Sequence, residues 1–388
     1  MLKNYLKIAI RSLFKDKFFS FLNISGLAIG IACCLLMMTY VVYELSYDKH
    51  FDNHENIYRV VIEGSFNGRD FKGAQNPAPA GRTFREEIPQ IEERVRFRRA
   101  GEWIVNYADK VFTEDRVAFA DETFFEVFKI DLIKGNPSEA LLRKNQVVIS
   151  ESMAAKYLGD EDPLQKTLKL DNEADYMVTG VFQDIPGNTH FQFDMLLSFI
   201  TRENDYNSPE WLSQNYETYV TLNPNANLED VAGLMNQIAI DNMAVELKQY
   251  LDMSYDDFQS AGNSFQYFLQ PLTDIHLYSN GYGGFEPEGD ITYVYIFSAI
   301  AAFILIIACI NFMNLSTARS ANRAKEVGLR KVLGSLKGQL IGQFLSESVL
   351  ITLFSGLLGL ALAALLMPYF NQLADREMAI DYMNALPI

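Results

Sequence analysis

The sequence predicts an α-helical membrane protein with three transmembrane helices and a large extracytoplasmic α+β domain. First, 49% of the residues are hydrophobic, and this content is concentrated in three long apolar runs. Second, a polar region with strand and helix patterns separates the first run from the second. Third, the net charge of −16 is uneven, because basic residues dominate the N-terminal tip and the loop between the second and third runs. Such asymmetry predicts which side of a membrane each part faces.

Charge around the first apolar run orients the N-terminus. Residues 1–17 alternate apolar and basic side chains, which predicts an amphipathic helix on the cytoplasmic membrane surface. Residues 18–43 are long and apolar enough to cross a bilayer. Because lysines precede this run and acids such as Glu44 follow it, the N-terminus is predicted to lie inside.

The second and third runs return the chain across the membrane. Residues 291–315 follow acids and precede arginines, so this span is predicted to run from outside to inside. Residues 348–370 form the third span, and the polar tail 371–388 is expected outside. Small residues at four-residue spacing in the first and third spans allow close helix contact, and these are Gly26 with Gly30, and Ser355 with Gly359.

Residues 44–290 read as one soluble region of mixed strands and helices. A strand is predicted at 56–66, a strand and helix at 146–158, a helix at 227–250 and a returning strand at 265–277. Further strands are predicted at 95–97, 103–107, 176–182, 193–199 and 217–222, and a further helix at 79–87. This order favours an α+β architecture over a sandwich.

The composition of this region excludes some partners and cross-links. Acids outnumber bases by about two to one between Glu44 and Asp290, which argues against nucleic acid as a partner. The three cysteines, Cys33, Cys34 and Cys309, all lie in apolar runs, so the region is expected to fold without disulfides.

The segment 316–347 between the second and third spans is basic and has helical periodicity. Apolar residues recur at three-to-four spacing, so one side is apolar and the other cationic. Glu326 is the odd acid, spaced for a helical pair with Arg330. The basic residues are Arg319, Arg323, Lys325, Arg330, Lys331 and Lys337. By physical chemistry alone, this segment is either a lipid-headgroup anchor or a docking surface for a soluble partner.

Several stretches resemble the FtsX-like and MacB-like ABC transporter permeases. The loop contains EVGLRKVLG (326–334) followed by QLIGQFLSESVLI (339–351), and the N-terminus reads YLKIAIRSLFKDKFFSFLNISGLAIGI (5–31), then YELSYDKHF (43–51). In the middle of the chain, VVISESMAAKYLGDEDPLQKTLKL (147–170) and VTGVFQDIP (178–186) resemble the MacB-type periplasmic core domain.

The resemblance implies a function for the loop and a plan for the domain. It implies two small α/β lobes, the inserted one at about 110–175, and a cytoplasmic segment that meets a separate ATPase. The ATPase-coupling residues it assigns are Arg323, Glu326, Gly328, Arg330, Lys331 and Gly334, with the charges presented on a kinked surface between the two glycines. Members of the family carry a fourth span, so the sequence is expected to be the front part of a longer permease.

Motif searches exclude most chemistry within this chain. No Gly-x-x-x-x-Gly-Lys-[Ser/Thr] loop is present, so nucleotide binding is expected in another polypeptide. His50 and His54 have the spacing of a zinc pair on one helix face, but no third ligand accompanies them. His190 and His276 stand alone in the sequence and are expected to be structural. No catalytic residue, cofactor site or metal site is predicted.

The sequence therefore predicts a bacterial inner-membrane permease subunit of an ABC-type system, acting in export or by mechanical transmission. Its expected partners are an ABC ATPase, a second permease copy or half, the lipid bilayer, and a periplasmic adaptor or lipoprotein. The alternative is a membrane-anchored binding or sensor domain without an ATPase, which explains the acidic domain but not the third span or the EVGLRKVLG loop.

Overall fold

The protein is described from a computed structural model that covers residues 17–279, 281–332 and 337–376, with residues 11 and 378. For residues 319–327, 330, 331 and 339 only the backbone is described. The chain divides into two compact units, a helical unit of residues 1–45 with 291–388, and an α/β unit of residues 46–290.

The helical unit begins with α1, Lys17–Leu45, a helix whose apolar residues extend all around it. Together with Ile291–Ala318 and Leu340–Ala374, it is one of three segments in the described part of the chain that are long and apolar enough to cross a membrane. The three predicted transmembrane helices are therefore confirmed as helices of membrane-spanning length and composition. The three cysteines are free thiols within these helices.

The α/β unit contains fourteen strands within the described residues, all in one mixed sheet. The strands are β1 Ile57–Phe66, β2 Arg69–Gly73, β3 Gln75–Pro77, β4 Ile91–Arg99, β5 Trp103–Tyr107, β6 Lys110–Glu114, β7 Val117–Ala120, β8 Leu132–Gly135, β9 Gln146–Ser150, β10 Thr167–Leu170, β11 Ala174–Phe182, β12 Met195–Ser198, β13 Gln214–Leu222 and β14 Ser264–Pro271. The helices are α2 Ala80–Glu87, α3 Phe124–Val127, α4 Glu151–Leu158, α5 Glu203–Tyr206, α6 Leu228–Leu251, α7 Tyr255–Ser260 and α8 Ile275–Tyr278.

Strand order explains how one sheet serves three hydrophobic cores. The order is β14-β1-β13-β4-β7-β12-β9-β11-β10-β5-β6, with β2, β3 and β8 paired at its sides. Most pairs are antiparallel, but β9 with β11 and β7 with β12 are parallel. One core lies under α2 and α6 around Phe84 and Tyr267, and another lies under α4 around Tyr157. A third core, rich in phenylalanine around Phe97, spans the middle of the sheet.

Local signals placed several elements correctly. The predicted strand and helix at 146–158 are β9 and α4, where the Ser150 hydroxyl accepts a bond from the Met153 amide and Gly159 ends the helix at φ 60°. The predicted helix at 227–250 is α6, capped by the Asn227 side chain. The fold class, a three-helix membrane protein with an α/β domain, is confirmed. The limits of the inserted lobe, 110–175, stay a prediction.

The returning strand was predicted too long. The sequence pattern extends it over 265–277, but β14 ends at Pro271. Proline has no amide proton to continue the ladder, so the chain leaves the sheet in a 3-10 turn, Leu272–Asp274, followed by α8. Ile275 and Leu277 alternate with polar residues as a strand would, but they are buried in α8 and not on a strand.

The helical unit resumes with α9, Ile291–Val332, and α10, Lys337–Ala374. Both helices are longer than the predicted spans 291–315 and 348–370, and both pack against α1. The backbone of α9 is helical for 42 residues, which corresponds to a length of about 63 Å, roughly twice the hydrocarbon thickness of a bilayer. One helix therefore carries both the second span and the first half of the basic segment.

Candidate functional site

The predicted ATPase-coupling residues lie mostly on α9. The backbone of Arg323, Glu326, Gly328, Arg330 and Lys331 belongs to this helix, and their side chains lie outside the described residues except for Gly328, which has none. Gly328 is exposed, with open space where a Cβ would lie. The helix continues through Gly328 to Val332, and the kinked surface between the two glycines stays a prediction. Gly334 lies outside the described residues.

The Gly26–Gly30 pair faces α9. A Cβ built on Gly30 would lie 2.6 Å from the Cβ of Ala308, and one on Gly26 would lie 3.2 Å from the amide nitrogen of Asn311. Real Cβ atoms do not approach each other to 2.6 Å, so the contact at Gly30 requires a glycine. Small residues thus bring the backbones of α1 and α9 together, as they do in membrane helix pairs generally.

Gly359, in the predicted pair of the third span, faces α1. A Cβ on Gly359 would lie 2.9 Å from Cγ2 of Ile31 and 3.0 Å from the carbonyl oxygen of Ala28. Ser355 is fully buried one turn earlier in α10. The first helix is therefore held between the second and the third by close contacts on two sides.

An ion pair joins the other ends of α1 and α10. Glu44, only 3% exposed, lies one residue before the end of α1, and its Oε1 is 3.4 Å from Nε of Arg376, just beyond α10. Gly359 faces Ala28, and Arg376 reaches Glu44, so contacts advance in the same direction along both helices. Helices α1 and α10 therefore run parallel. This agrees with three successive spans that cross the membrane in alternating directions, because the first and third then run the same way.

In the α/β unit, a buried arginine forms hydrogen bonds with the segment that leads to the second span. Arg59, on β1, is completely buried. Its Nη2 donates to Gln270 Oε1 at 2.8 Å and to Ser279 Oγ at 3.0 Å, and its Nη1 donates to the Gly283 carbonyl at 2.9 Å. Residues 272–290, the outgoing segment, are thereby tied to the sheet at two points.

The same arginine begins a buried polar chain that crosses the sheet. Its Nη1 lies 3.6 Å from Oε2 of Glu217, which also accepts the Tyr219 hydroxyl proton at 2.8 Å. Burial raises the pKa of Glu217, while the charge of Arg59 opposes that rise. Burial likewise holds the pKa of the Tyr219 hydroxyl well above its ordinary value.

The chain continues to the segment that follows α1. Tyr219 OH lies 2.9 Å from His190 Nε2, and His190 Nδ1 lies 2.8 Å from Asp48 Oδ1. Asp48 is fully buried and also accepts the His190 backbone amide at 3.1 Å. We call Asp48, His190, Tyr219, Glu217 and Arg59 the buried polar chain, and residues 46–56 the incoming segment.

Tyr219 joins the two halves of the buried polar chain. Its hydroxyl donates to Glu217 and also lies within hydrogen-bond distance of Nε2 of His190. The chain of polar contacts is therefore continuous from the carboxylate of Asp48 to the guanidinium of Arg59.

Further contacts lock the incoming segment to its surroundings. The ring of Tyr47 stacks on that of His276 in the outgoing segment, with centroids 3.4 Å apart and planes 3° apart. The Asp48 amide donates to the carbonyl of Asn188 at 3.0 Å, and the Asn188 amide donates to Ser46 Oγ at 2.9 Å. The incoming and outgoing segments therefore form one joint with the sheet.

The histidines do not form the zinc pair considered from the sequence. His50 lies 3.2 Å from the Thr189 hydroxyl, whereas His54 bonds the Phe51 carbonyl and begins a 3-10 turn, so they share no helix face. Among the described residues, no group of three His, Cys, Asp or Glu side chains could hold a metal ion. His190, expected to stand alone, is a structural histidine inside the buried polar chain.

The buried polar chain was not found from the sequence, because its members are far apart in the chain and none belongs to a motif. Asp48 lies in YELSYDKHF, directly after a membrane span, where charged residues are usually exposed, so no local signal marked it as buried.

Comparisons with known proteins agree with this architecture. Residues 20–238 match the MacB-like periplasmic core domain, and residues 298–387 match the FtsX-like permease C-terminal domain. The chain is 22% identical over 387 residues to YknZ of Bacillus subtilis, described as an uncharacterised ABC transporter permease, which covers 92% of this chain and 84% of that protein. It is 26% identical over 241 residues to the macrolide export ATP-binding/permease protein MacB of Neisseria meningitidis, covering 62% of this chain.

The chain spans 33% of the length of that MacB, a protein whose name includes an ATP-binding part. Among solved structures, a domain of a putative permease from Porphyromonas gingivalis is 26% identical, with a TM-score of 0.47 over 57% of this chain and 91% of that one. The periplasmic region of MacB from Actinobacillus actinomycetemcomitans is 18% identical, with a TM-score of 0.38 over 56% of this chain and 89% of that one.

Proposed function

The chain belongs to the ABC transporter permeases that join a MacB-like periplasmic core domain to an FtsX-like permease domain, and we propose that it transmits the ATP-driven motion of a separate ATPase to its extracytoplasmic domain. In this proposal the membrane is the bacterial inner membrane, the N-terminus and residues 316–347 are cytoplasmic, and a second permease copy or half completes the unit. The work is mechanical, and the ATP is hydrolysed by the partner.

The single observation that carries the proposal is the length of α9. A helix of 42 residues contains both a membrane span and the first half of the basic segment, with the Glu-Val-Gly-Leu-Arg-Lys sequence. A continuous helix transmits a push at one end to its other end, because every turn is hydrogen-bonded to the next. A lipid anchor alone has no need for a rigid connection of this kind.

Close packing within the helical unit supports the same proposal. Gly30 against Ala308 and Gly359 against Ala28 leave little room for α1 to slide independently of its neighbours. Motion imposed on α9 is therefore expected to move α1 as well. The chain then enters the α/β unit through the incoming segment and leaves it through the outgoing segment, which the joint holds to one sheet.

Charge reversal on α9 tests the proposed ATPase contact. The full reading frame, tagged and extracted in mild detergent, is expected to co-purify with an ATP-hydrolysing subunit. The double variant Arg330→Glu with Lys331→Glu is expected to lose that subunit, because two attractive charges become repulsive at the contact. ATP hydrolysis in the purified fraction, with the subunit's band on a gel, is the measurement.

A matched double variant separates a docking surface from a lipid anchor. Lys3→Glu with Lys7→Glu makes the same charge change in the other predicted cytoplasmic segment and is expected to keep the ATPase bound. Equal loss from both double variants would assign the effect to membrane-surface charge. Absence of an ATPase from the unaltered protein and both double variants would favour the anchored sensor.

A further inference from the structure

A cavity of about 510 Å³ opens beside the β8–β11 edge of the α/β unit, away from the joint in the strand order. This volume lies within the range of about 300–1,000 Å³ that is usual for small-molecule sites. We call it the β8–β11 pocket. Its lining includes Gly135, Glu139, Leu142, Arg143, Leu164 and Met177.

The pocket forms where two strands meet end to end along β11. Strand β10 pairs with residues 174–177 of β11, and β8 pairs with residues 180–182. Gly135 ends β8 at φ 98°, and a Cβ there would lie 2.4 Å from the Thr179 carbonyl oxygen. This close approach requires a glycine and leaves the pocket wall free of a side chain at that point.

The opposite wall, residues 136–146, is held in place before any ligand arrives. Ala140 and Leu141 are buried, and their carbonyls accept the hydroxyl protons of Thr179 at 2.6 Å and Ser198 at 2.7 Å. The Arg143 amide donates to the side chain of Gln146 at 2.6 Å. A wall fixed in this way loses little entropy on binding, which favours affinity.

Two opposite charges in the pocket have no ionic partner among the described residues. Glu139 and Arg143 are both exposed, and neither side chain makes an ion pair or hydrogen bond with a described residue. They contrast with Lys134 on the neighbouring strand, which pairs with Asp162 at 2.9 Å. The lining is thus electrically neutral overall, although the chain carries a net charge of −16.

Apolar side chains lie beside these charges. Leu142 is 50% exposed and Met177 is 41% exposed, and both line the pocket with Leu164. A ligand that fits must therefore carry a positive group, a negative group and an apolar body. A short peptide with free termini has all three, and its backbone amides can also bond the polar groups of the wall.

We propose that the β8–β11 pocket binds a short peptide with free termini, whose ammonium group pairs with Glu139, whose carboxylate pairs with Arg143, and whose apolar side chain rests on Leu142 and Met177. A bidentate guanidinium–carboxylate pair is the geometry that Arg143 supplies best. This inference does not depend on the proposed ATPase contact, since it concerns only the α/β unit.

The test uses the full chain in lipid nanodiscs and the tripeptide Ala-Leu-Ala, followed by equilibrium dialysis. Saturable binding is expected. N-acetylation of the peptide removes its ammonium charge, and C-amidation removes its carboxylate. Each change is expected to weaken binding by roughly tenfold or more, the usual effect of losing a charged hydrogen bond.

The variants assign each end of the peptide to its residue. In Glu139→Gln, N-acetylation is expected to cause no further loss, and in Arg143→Gln the same holds for C-amidation. Glu173→Gln and Arg69→Gln, at exposed sites outside the pocket, are the matched controls and should bind as the unaltered protein does. Partition of the tripeptide into the nanodisc lipid is the same for every variant, so it does not affect the comparison of binding between variants.

Three results would overturn the proposal. One is the absence of saturable binding, and another is binding that Glu139→Gln and Arg143→Gln leave unchanged. The third is that a peptide that is both N-acetylated and C-amidated binds as tightly as the unmodified peptide, which would make the pocket a site for uncharged apolar ligands.

Discussion

At the scale of single residues, the α/β unit depends on charges that have been removed from water and matched almost atom for atom. Asp121, fully buried, accepts from Nε and Nη2 of Arg96 at 2.9 Å each, accepts the Arg96 amide, and bonds Nη1 of Arg94. Burial raises the pKa of Asp121, but the guanidinium charges of Arg96 and Arg94 more than offset this and lower it below its ordinary value.

Asp121→Asn is expected to destabilise the α/β unit by about 3 kcal/mol at neutral pH, because it leaves two buried arginines without their carboxylate. The two tryptophans, Trp103 and Trp211, both lie in this unit, so their fluorescence during denaturant unfolding measures its stability. Asp70→Asn, at an exposed site, is the matched control and should change stability little.

The stability difference between the unaltered protein and Asp121→Asn is also expected to depend on pH, and the sign of that dependence follows from the pKa shift. Because the folded pKa of Asp121 lies below the unfolded one, its stabilisation is fully present above the unfolded value of about 3.9. It is lost as the pH falls from there through the folded value. The difference in unfolding free energy between the unaltered protein and Asp121→Asn should therefore shrink below about pH 4. A difference that stays constant or grows in that range would contradict the assignment.

At the scale of elements, the close contact of α1 with α9 depends on the absence of a Cβ atom at Gly30. Gly30→Ala is expected to push the helices apart, because its Cβ would lie 2.6 Å from the Cβ of Ala308. Removing that second Cβ with Ala308→Gly should restore the contact, since the next nearest atoms lie at 3.9 Å. The measurement is the thermal unfolding temperature in detergent of the two single variants and the double variant.

Gly356→Ala on α10 is the matched control, because no atom lies within 4 Å of its Cβ position. It should leave the unfolding temperature unchanged or raise it, as alanine favours a helix more than glycine does. If Gly30→Ala were as stable as the unaltered protein, or if Ala308→Gly failed to rescue it, the close packing of α1 on α9 would be wrong.

At the scale of the whole molecule, the buried polar chain connects the segments that lead to and from the membrane. Tyr219→Phe removes one hydroxyl, which separates His190 from Glu217 but keeps the ring stacked on Phe97 at 4.9 Å. We expect a loss of about 1–3 kcal/mol in the stability of the α/β unit, the cost of unpaired buried polar groups.

In the reconstituted complex, Tyr219→Phe should also weaken transmission while leaving the ATPase bound. The measurement is amide hydrogen exchange of β1 and β14, compared between ATP and ADP. The nucleotide-dependent difference is expected to diminish in the variant, because Asp48 and His190 lose their polar connection to Glu217 and Arg59, which hold the outgoing segment to the sheet.

Tyr267→Phe provides the control for both measurements. Tyr267 is equally buried, on β14, but its hydroxyl has no hydrogen-bond partner among the described residues. Its removal should cost nothing or stabilise the protein. Equal effects of Tyr219→Phe and Tyr267→Phe would mean that the buried polar chain contributes no more than any buried hydroxyl.

The sequence by itself determined the parts of this protein that depend on neighbours in the chain. Long apolar runs specify the membrane helices, because only a helix satisfies its backbone within one segment in lipid. Ser150 with Gly159, and Asn227, mark helix ends through bonds to residues two to four positions away. The basic segment is likewise a run of consecutive residues, so its position and charge follow directly from the sequence.

Only the tertiary structure decided what depends on distant pairs. Asp48 and His190 are 142 positions apart, and Arg59 and Gln270 are 211 apart, yet each pair is hydrogen-bonded in the core. No local pattern distinguishes a buried acid from an exposed one, because the cost of burial is offset by partners that only the fold supplies. For the same reason, the β8–β11 pocket exists only where two strands meet beside a third.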